Sequence, residues 1–319
     1  MTLDILISEY TATDKPSCLM LLKTIFPGTS DENTFRWRFE SKRMQAPIMV
    51  CAKDEDKVVS FNSWLPWEFE YKNKIYLGFQ SGESATYQEY QRRGILGKIL
   101  RHADTIAKKR NADFLFGFPS TMIYGTFYKA GYCPIGVLPY RLRLISPFGK
   151  ASNNKTDHEF DDFPQHIIAE QNKISPVNNA EYFEWRYRNN PKHYTVLKYT
   201  ENNNQAIFIL RPSTYYNTRY RLSINELILL DCHFTSYNQI FLNNAFKYID
   251  NTYRRKAFYL KSFFNTRTDK GLALRRHFHI TIKSRFEIMC IKPIAEDLDK
   301  STFYNHNHWN LMPHIVDEM

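Results

Sequence analysis

The stretch from residue 82 to residue 132 constrains the fold of this chain more than any other. A strand-like run leads into a basic turn that contains Gly94, and a helix with apolar residues at helical spacing follows the turn. Residues 114–118 are typical of a buried strand, and a second amphipathic run ends at Gly131, a good helix C-cap. The predicted order is therefore strand, basic glycine turn, helix, strand, helix.

The turn at residues 91–98 has the features of an anion-binding site. The first backbone N–H groups of a helix lack intrahelical partners, and the helix dipole adds partial positive charge there. Gly94 lets the backbone approach a bulky anion closely, and a pyrophosphate would fit such a cradle. The neighbouring side chains that donate hydrogen bonds are Gln91, Arg92, Arg93 and Lys98. An ordinary glycine-containing turn with solvated arginines is the alternative, because glycine-rich motifs are individually weak.

These residues resemble the acetyl-CoA-binding core of the GNAT N-acyltransferase superfamily, whose pyrophosphate loop reads Gln/Arg-x-x-Gly-x-Gly/Ala. Residues 91–96 (QRRGIL) lie on that motif, and residues 128–132 (YKAGY) match the Tyr-x-x-Gly-Phe/Tyr ending of a later helix in the family. The spacing between the two motifs fits one helix, one strand and one helix. Leu96 departs from the family pattern at the last small position, with Gly97 just after it, so we expect either a slightly wider loop or a slightly different path of the pantetheine arm.

The resemblance implies that residues around both motifs bind acetyl-CoA as the cosubstrate. Backbone N–H groups near residues 86–88 are expected, by fold analogy, to polarise the thioester carbonyl. Ser120 and Thr121 would hydrogen-bond the pantetheine arm or cap the following helix. The expected cofactor-binding residues are Thr86, Tyr87, Gln88, Gln91, Arg92, Arg93, Gly94, Ile95, Leu96, Gly97, Lys98, Ser120 and Thr121.

The resemblance also implies direct attack of a neutral amine on the acyl thioester, which requires a base for the amine and an acid for the leaving thiolate. Glu83, on the strand leading into the turn, is the candidate base, and a solvated strand-end carboxylate is the alternative. Tyr128 lies where the family usually carries its thiolate-protonating tyrosine, and a phenol pKa of about 10 suits a thiol leaving group. Tyr124, one helical turn earlier, is the second candidate, and packing of both rings on the sheet is the alternative.

The second half of the chain repeats the first in weakened form. The pentad FEWRY at residues 183–187 follows the pentad FRWRF at residues 35–39 after 148 residues, and the predicted order of elements recurs on both sides. We predict an α/β (α+β) protein of two tandem GNAT-like domains, each a mixed, mostly antiparallel twisted sheet flanked by helices. The expected segments are an acetyl-CoA-binding domain at 1–148, a linker at 149–164 and a degenerate copy at 165–319.

The turn of the second copy that corresponds to the cradle, residues 231–239, contains no glycine, arginine or lysine. We therefore expect the second copy not to bind coenzyme A but to buttress the first and to help form the acceptor pocket. Tandem GNAT arrangements with one working cofactor site occur in N-myristoyltransferases and in the Fem-type aminoacyl transferases. This sequence resembles those proteins in arrangement and not in motif.

The net charge and the cysteine content indicate which classes of ligand and cofactor are expected. The formal net charge of +10 suits polyanions such as coenzyme A, nucleotide-sugars or nucleic acid, and a basic protein that needs no such partner is the alternative. Five widely spaced cysteines form no CxxC pair, so neither a zinc site nor a disulfide framework is indicated, and we expect no metal. The first residues do not resemble a signal peptide, and no run approaches ~20 apolar residues. We expect a cytoplasmic protein with no membrane span and no nucleic-acid partner.

The sequence predicts a transferase that moves an acetyl or acyl group from coenzyme A to the primary amine of a small acceptor, with an amino-sugar nucleotide as one candidate. An aminoacyl-tRNA-dependent transferase of the Fem type and a non-catalytic acyl-CoA-binding module are the alternatives. Trp64, Pro66 and Trp67 either line an acceptor pocket or belong to the core or to a bent edge strand. The acceptor, the acyl chain length and the oligomeric state do not follow from the sequence.

Overall fold

A computed structural model describes residues 4–28, 30–41, 45–148, 168, 170–192 and 194–316. The predicted linker at 149–164 lies outside the described residues. The strands are β1 (Leu6–Glu9), β2 (Ile48–Asp54), β3 (Lys57–Tyr71), β4 (Lys74–Thr86), β5 (Phe114–Gly117), β6 (Cys133–Leu144), β7 (Ser175–Pro176), β8 (Thr195–Glu201), β9 (Asn204–Asn217), β10 (Leu222–Phe234), β11 (Tyr259–Ser262) and β12 (Ile280–Pro293). The α-helices are α1 (Lys15–Ile25), α2 (Glu32–Phe35), α3 (Ile95–Lys109), α4 (Tyr124–Lys129), α5 (Ala180–Phe183), α6 (Gln239–Tyr253), α7 (Asp269–Arg275) and α8 (Lys300–Phe303).

The chain divides into two compact units, and each unit draws on three separate stretches of sequence. The first comprises the described residues within Met1–Val137, Pro176–Pro191 and Ile288–His306. The second comprises those within Leu138–Ser175, Lys192–Glu287 and Asn307–Met319. The division at 148 and 165 stays a prediction, because the two units are compact groups of residues and not contiguous segments.

In the first unit, β1 to β4 are antiparallel neighbours in chain order, and β5 pairs with β4 in parallel. Helix α3 connects β4 to β5 and buries an apolar stripe that includes Ile95, Ile99 and Ala103 against this sheet. The last residues of β12 add an antiparallel neighbour to β5. The predicted mixed, mostly antiparallel sheet with flanking helices is confirmed.

Strand β3 is longer than the sequence predicts. Residues 58–67 are all buried, which indicates that both faces of the strand are covered. The sequence pattern predicts two strands here, at residues 58–64 and near 68–71, whereas the structure has one strand that runs through Pro66. Because β2 pairs with β3 only as far as Trp64, Pro66 lies where no β2 carbonyl needs its missing N–H group.

In the second unit, β8, β9 and β10 are antiparallel neighbours, and β11 pairs with β10 in parallel after the α6 connection. The start of this order repeats β2 to β5 of the first unit. Phe241, Leu242 and Phe246 of α6 pack into the core of the sheet. Strand β11 also pairs with the end of β6. The repeated order agrees with the tandem arrangement that the sequence predicts, and duplication itself stays an inference.

The two aromatic pentads adopt the same local structure. Asp31 and Asn179 cap α2 and α5 through side-chain oxygens that accept a backbone N–H group three residues on. A π-helical turn follows each helix, at Arg36–Glu40 and at Glu184–Arg188. Both pentads lie in the first unit, because Pro176–Pro191 belongs to it. The similarity read from the sequence is therefore a similarity of capped helical turns.

Trp37 and Trp185 join the two pentads into one reciprocal structure. Their rings stack with centroids 5.3 Å apart and planes 9° apart. The Trp37 Nε1–H group donates to the Trp185 carbonyl oxygen at 2.7 Å, and the Trp185 Nε1–H group donates to the Trp37 carbonyl oxygen at 3.4 Å. Stacked rings with both polar groups satisfied fix these turns in the core of the unit.

Among the described residues, no helix has both the length and the apolar character of a membrane span.

Candidate functional site

The parallel strands β4 and β5 separate at the edge where both end. They pair from Gly78 and Phe114 to Ser81 and Gly117, where β5 stops. Strand β4 continues to Thr86, so its last residues receive no hydrogen bonds from β5. Backbone N–H and C=O groups need partners when water is excluded, and an extended ligand inserted into this gap can supply them.

A β-bulge shapes this last part of β4. The register between β3 and β4 shifts between Phe61 and Ser63, so that Glu83 and Ser84 both face Asn62. Glu83 has a φ of 52°, a left-handed conformation that is uncommon for residues other than glycine. The Ser84 hydroxyl donates to Asn62 Oδ1 and fixes the bulge. Bulges bend a strand and redirect its side chains, which here affects the predicted base.

Glu83 is 5% exposed and forms an ion pair with Arg38, which is equally buried. It is therefore not a solvated strand-end carboxylate, which was the alternative interpretation of this residue. Arg38 comes from the π-helical turn at Arg36–Glu40, and no local sequence pattern predicts its position beside Glu83. Because this pair is buried, a substitution that removes either partner is expected to destabilise the fold. The role of Glu83 as general base stays a prediction.

The glycine turn is open above the start of α3. Gly94 is the N-cap with a φ of 72°, and a Cβ atom built on it would meet nothing within 4 Å. The first turn of α3 contains no acidic residue, and its N–H groups lack intrahelical partners. Arg92, Arg93 and Lys98 are exposed around it. These donors and charges have the arrangement of a phosphate-binding helix start.

Some predicted donors of this turn are already engaged. The Gln91 side-chain amide donates to the Thr86 carbonyl oxygen at 3.1 Å, which shapes the loop between β4 and α3. The Tyr87 N–H group donates to the Val59 carbonyl oxygen at 3.1 Å. Of the N–H groups at 86–88 that we expected to polarise a thioester, that of Tyr87 therefore belongs to the sheet. The exposed Gln88 does not share this contact.

Ile95 and Leu96, which follow Gly94, differ in which of their atoms a ligand can contact. Ile95 is buried in the core of the unit, so only its backbone can contact a ligand. Leu96 is half-buried against the same core, which explains how a large side chain fits at the family's small position. A Cβ atom on Gly97 would lie 3.9 Å from the Thr126 methyl group, so α3 begins beside α4.

Helix α4 carries both candidate acids. Tyr128 is 62% exposed, whereas Tyr124 packs against the core around α3. The alternative that both rings simply pack on the sheet therefore does not hold for Tyr128. Gly131, with a φ of 92°, ends the helix, and its N–H group donates to the Tyr128 carbonyl oxygen. The Tyr128 hydroxyl is free to meet a ligand, and its role as acid stays a prediction.

Residues 120 and 121 form the start of the turn into α4. The Ser120 carbonyl oxygen accepts the N–H groups of Ile123 and Tyr124 at 3.1 and 3.0 Å, so Ser120 caps the helix through its backbone. The side chains of Ser120 and Thr121 are exposed. Because parallel strands end at the same edge of a sheet, the turns after β4 and β5 lie at one edge. This edge brings together the residues that the two sequence motifs supplied.

The corresponding turn of the second unit is closed. Asn238 caps α6, and its Oδ1 atom accepts the N–H groups of Ile240 and Phe241 at 2.9 and 3.2 Å. These are the groups that an anion would need at a helix start. The contrast with Gly94 supports the expectation that coenzyme A does not bind the second copy. In the described part of the chain, no group of three His, Cys, Asp or Glu side chains could hold a metal ion.

Comparisons with known proteins agree with this geometry. Residues 7–133 match the model of a family described as an acetyltransferase (GNAT) domain. No curated protein sequence matches the chain.

Three solved structures show the fold over nine-tenths of the chain. A GCN5-related N-acetyltransferase from Anabaena variabilis is similar with a TM-score of 0.61 and 10% identity, over 91% of this chain and 73% of that one. A GCN5-related N-acetyltransferase from Kribbella flavida gives 0.58 and 10%, over 90% and 70%. The Saccharomyces cerevisiae N-myristoyltransferase with bound myristoyl-CoA gives 0.57 and 9%, over 92% and 79%.

Proposed function

We propose that this chain, whose residues 7–133 match the model of a GNAT acetyltransferase domain, transfers an acyl group from coenzyme A to the primary amine of a small acceptor. The observation that carries the proposal is the combination, at one sheet edge, of the gap between β4 and β5 with the open start of α3. A polyphosphate and an extended amide chain are the two parts of coenzyme A that such an edge accommodates.

Coenzyme A would bind through the polar groups at the start of α3 and at the end of β4. The pyrophosphate contacts the N–H groups after Gly94 and the side chains of Arg92, Arg93 and Lys98. The pantetheine arm enters the gap and pairs its amides with the end of β4. The thioester then lies near the bulge at Glu83. Acetyl-CoA is the proposed cosubstrate.

The transfer is a direct displacement. The amine nitrogen attacks the thioester carbonyl carbon, and the C–S bond breaks as the amide forms. Tyr128 gives its proton to the leaving thiolate, and the nitrogen loses a proton to Glu83, directly or through one water. Donors near the end of β4 stabilise the oxyanion that forms in between. A small amine is the proposed acceptor class, and the net charge of +10 supports an acceptor with phosphate groups, such as an amino-sugar nucleotide.

Replacing Tyr128 by Phe is expected to lower the turnover number roughly 100-fold, the usual contribution of a positioned acid. Affinity for acetyl-CoA and stability should change little, because the ring is exposed. Thiol release from acetyl-CoA in the presence of a panel of amines measures the rate. Tyr220→Phe, also an exposed tyrosine but in the second unit, is the matched control. An unchanged rate in Tyr128→Phe would exclude this residue as the acid.

The same assay separates transfer from mere binding. A non-catalytic acyl-CoA-binding module would bind acetyl-CoA and release no thiol with any amine of the panel. Glu83→Gln is expected to lower the rate and to shift the dependence of rate on amine pKa toward weaker bases, because less basic amines need less help to lose a proton. The same slope in both proteins would rule out Glu83 as the base.

A further inference from the structure

A cavity of about 220 Å³ lies in the first unit, away from the gap between β4 and β5. It is bounded by the part of β3 that extends beyond β2, by Leu77 of β4, and by residues between Val177 and Trp185. Trp67 and Glu68 come from β3, and Glu181, Tyr182 and Trp185 come from α5 and its π-helical turn. Glu68 pairs with Leu77 of β4, about four residues before the strands diverge, a distance of about 13 Å along the strand.

Aromatic rings form one wall of this cavity. The ring centroids of Trp67 and Tyr182 are 5.6 Å apart, and those of Trp67 and Trp185 are 6.3 Å apart. The planes of the two indoles meet at 86°, so the rings pack edge to face. Indole faces carry a negative potential that attracts cations, and this attraction grows when water is excluded.

Two glutamates, Glu68 and Glu181, also line this cavity. In the described part of the chain, no lysine, arginine or histidine forms an ion pair with Glu68 or Glu181. Burial, and then the charge of Glu181, raises the pKa of Glu68. The cavity therefore combines two negative charges with aromatic rings, although the net charge of the chain is +10. A bound cation would relieve both the desolvation and the repulsion.

We propose that this cavity binds an organic cation, with its ammonium or alkylammonium group held between Glu68 and Glu181 and against the indole of Trp67. Apolar parts of the ligand would contact Pro66, Leu77 and Val177, which also line the cavity. The cation is not the attacking amine, because neighbouring carboxylates keep an amine protonated and a protonated amine has no lone pair for attack. The site does not depend on the proposed transfer.

Binding of choline and of propylammonium, followed by tryptophan fluorescence at constant ionic strength without coenzyme A, tests this proposal. Both cations should bind in a saturable manner. Choline should bind at least tenfold more tightly than 3,3-dimethyl-1-butanol, its uncharged analogue of the same shape. The double substitution Glu68→Gln, Glu181→Gln should weaken choline binding at least tenfold and leave the alcohol unchanged.

Glu70→Gln is the matched control, because Glu70 lies on the same strand, is exposed and does not line the cavity. Its affinity for choline should equal that of the unmodified chain. Three results would overturn the proposal: no saturable response to either cation, equal affinity for choline and the alcohol, or unchanged choline affinity in the double variant.

Discussion

Replacing Asp231 by Asn is expected to lower the free energy of unfolding by about 3–5 kcal/mol at pH 7, the cost of removing one member of a buried charge pair. Asp231 is fully buried on β10, where the register with β9 shifts. Lys270 Nζ lies 3.0 Å from its Oδ1 atom, and His233 Nε2 lies 3.0 Å from its Oδ2 atom. An Asn side chain keeps the shape but leaves the buried Lys270 ammonium without its counter-charge.

The effect should depend on pH in a defined direction. Burial alone would raise the pKa of the Asp231 carboxyl, but His233, His314 and Lys270 hold it well below its usual value. A carboxyl whose pKa is lower in the folded state stabilises the fold above its unfolded pKa, about 3.9, and this contribution is lost as the pH falls further. The difference between the two proteins should therefore be full above about pH 4 and shrink below it.

Urea-induced unfolding at several pH values measures this difference. Asp297→Asn, at an exposed position, is the control and should stay within about 0.5 kcal/mol of the unmodified chain. Adding Lys270→Met to Asp231→Asn should recover part of the loss, because it removes the unpaired ammonium. A loss below about 1 kcal/mol, or a loss that persists unchanged at pH 3, would contradict the expected result.

Replacing Gly94 by Ala is expected to lower the affinity for acetyl-CoA at least tenfold, about 1.4 kcal/mol. The added methyl group would stand where we propose that a phosphate approaches the start of α3, and no described residue occupies that space. The folded state should lose only roughly 1 kcal/mol from the positive φ of 72°. Calorimetric titration gives the affinity and urea unfolding gives the stability.

Gly28→Ala separates strain from ligand contact. Gly28 has a φ of 81°, and a Cβ atom on it would also meet nothing within 4 Å. It follows α1, outside the turn that begins α3. Its stability loss should match that of Gly94→Ala, and its acetyl-CoA affinity should not change. Equal affinities in both variants would remove Gly94 from the binding site.

Local patterns in the sequence predicted the elements around the site well. The apolar spacing of α3 and the turn residues Gly94 and Gly131 are short-range signals, and the structure has these elements. The sheet that they belong to is of the predicted type. A turn followed by an amphipathic helix is determined mainly by residues that are close together in the sequence, so these elements are predictable from the sequence alone.

Contacts between distant segments were not predictable in the same way. Arg38 reaches Glu83 only because a π-helical turn and a β-bulge both redirect their side chains. The similarity of the two pentads was visible, but not that Trp37 and Trp185 exchange hydrogen bonds within one unit. The cation cavity likewise combines carboxylates from separate segments, and no local periodicity marks such a pairing.

Calorimetric titration of the full chain with acetyl-CoA, beside the Arg93→Glu, Gly94→Asp double variant, tests the proposed cosubstrate site most directly. We predict one binding site per chain, because the start of α6 is capped by Asn238 while the start of α3 is open. The double variant should show no binding, since it places two carboxylates at the phosphate position. Absence of binding to the unmodified chain, two sites per chain, or unchanged binding in the double variant would contradict a single acyl-CoA site at the turn of α3.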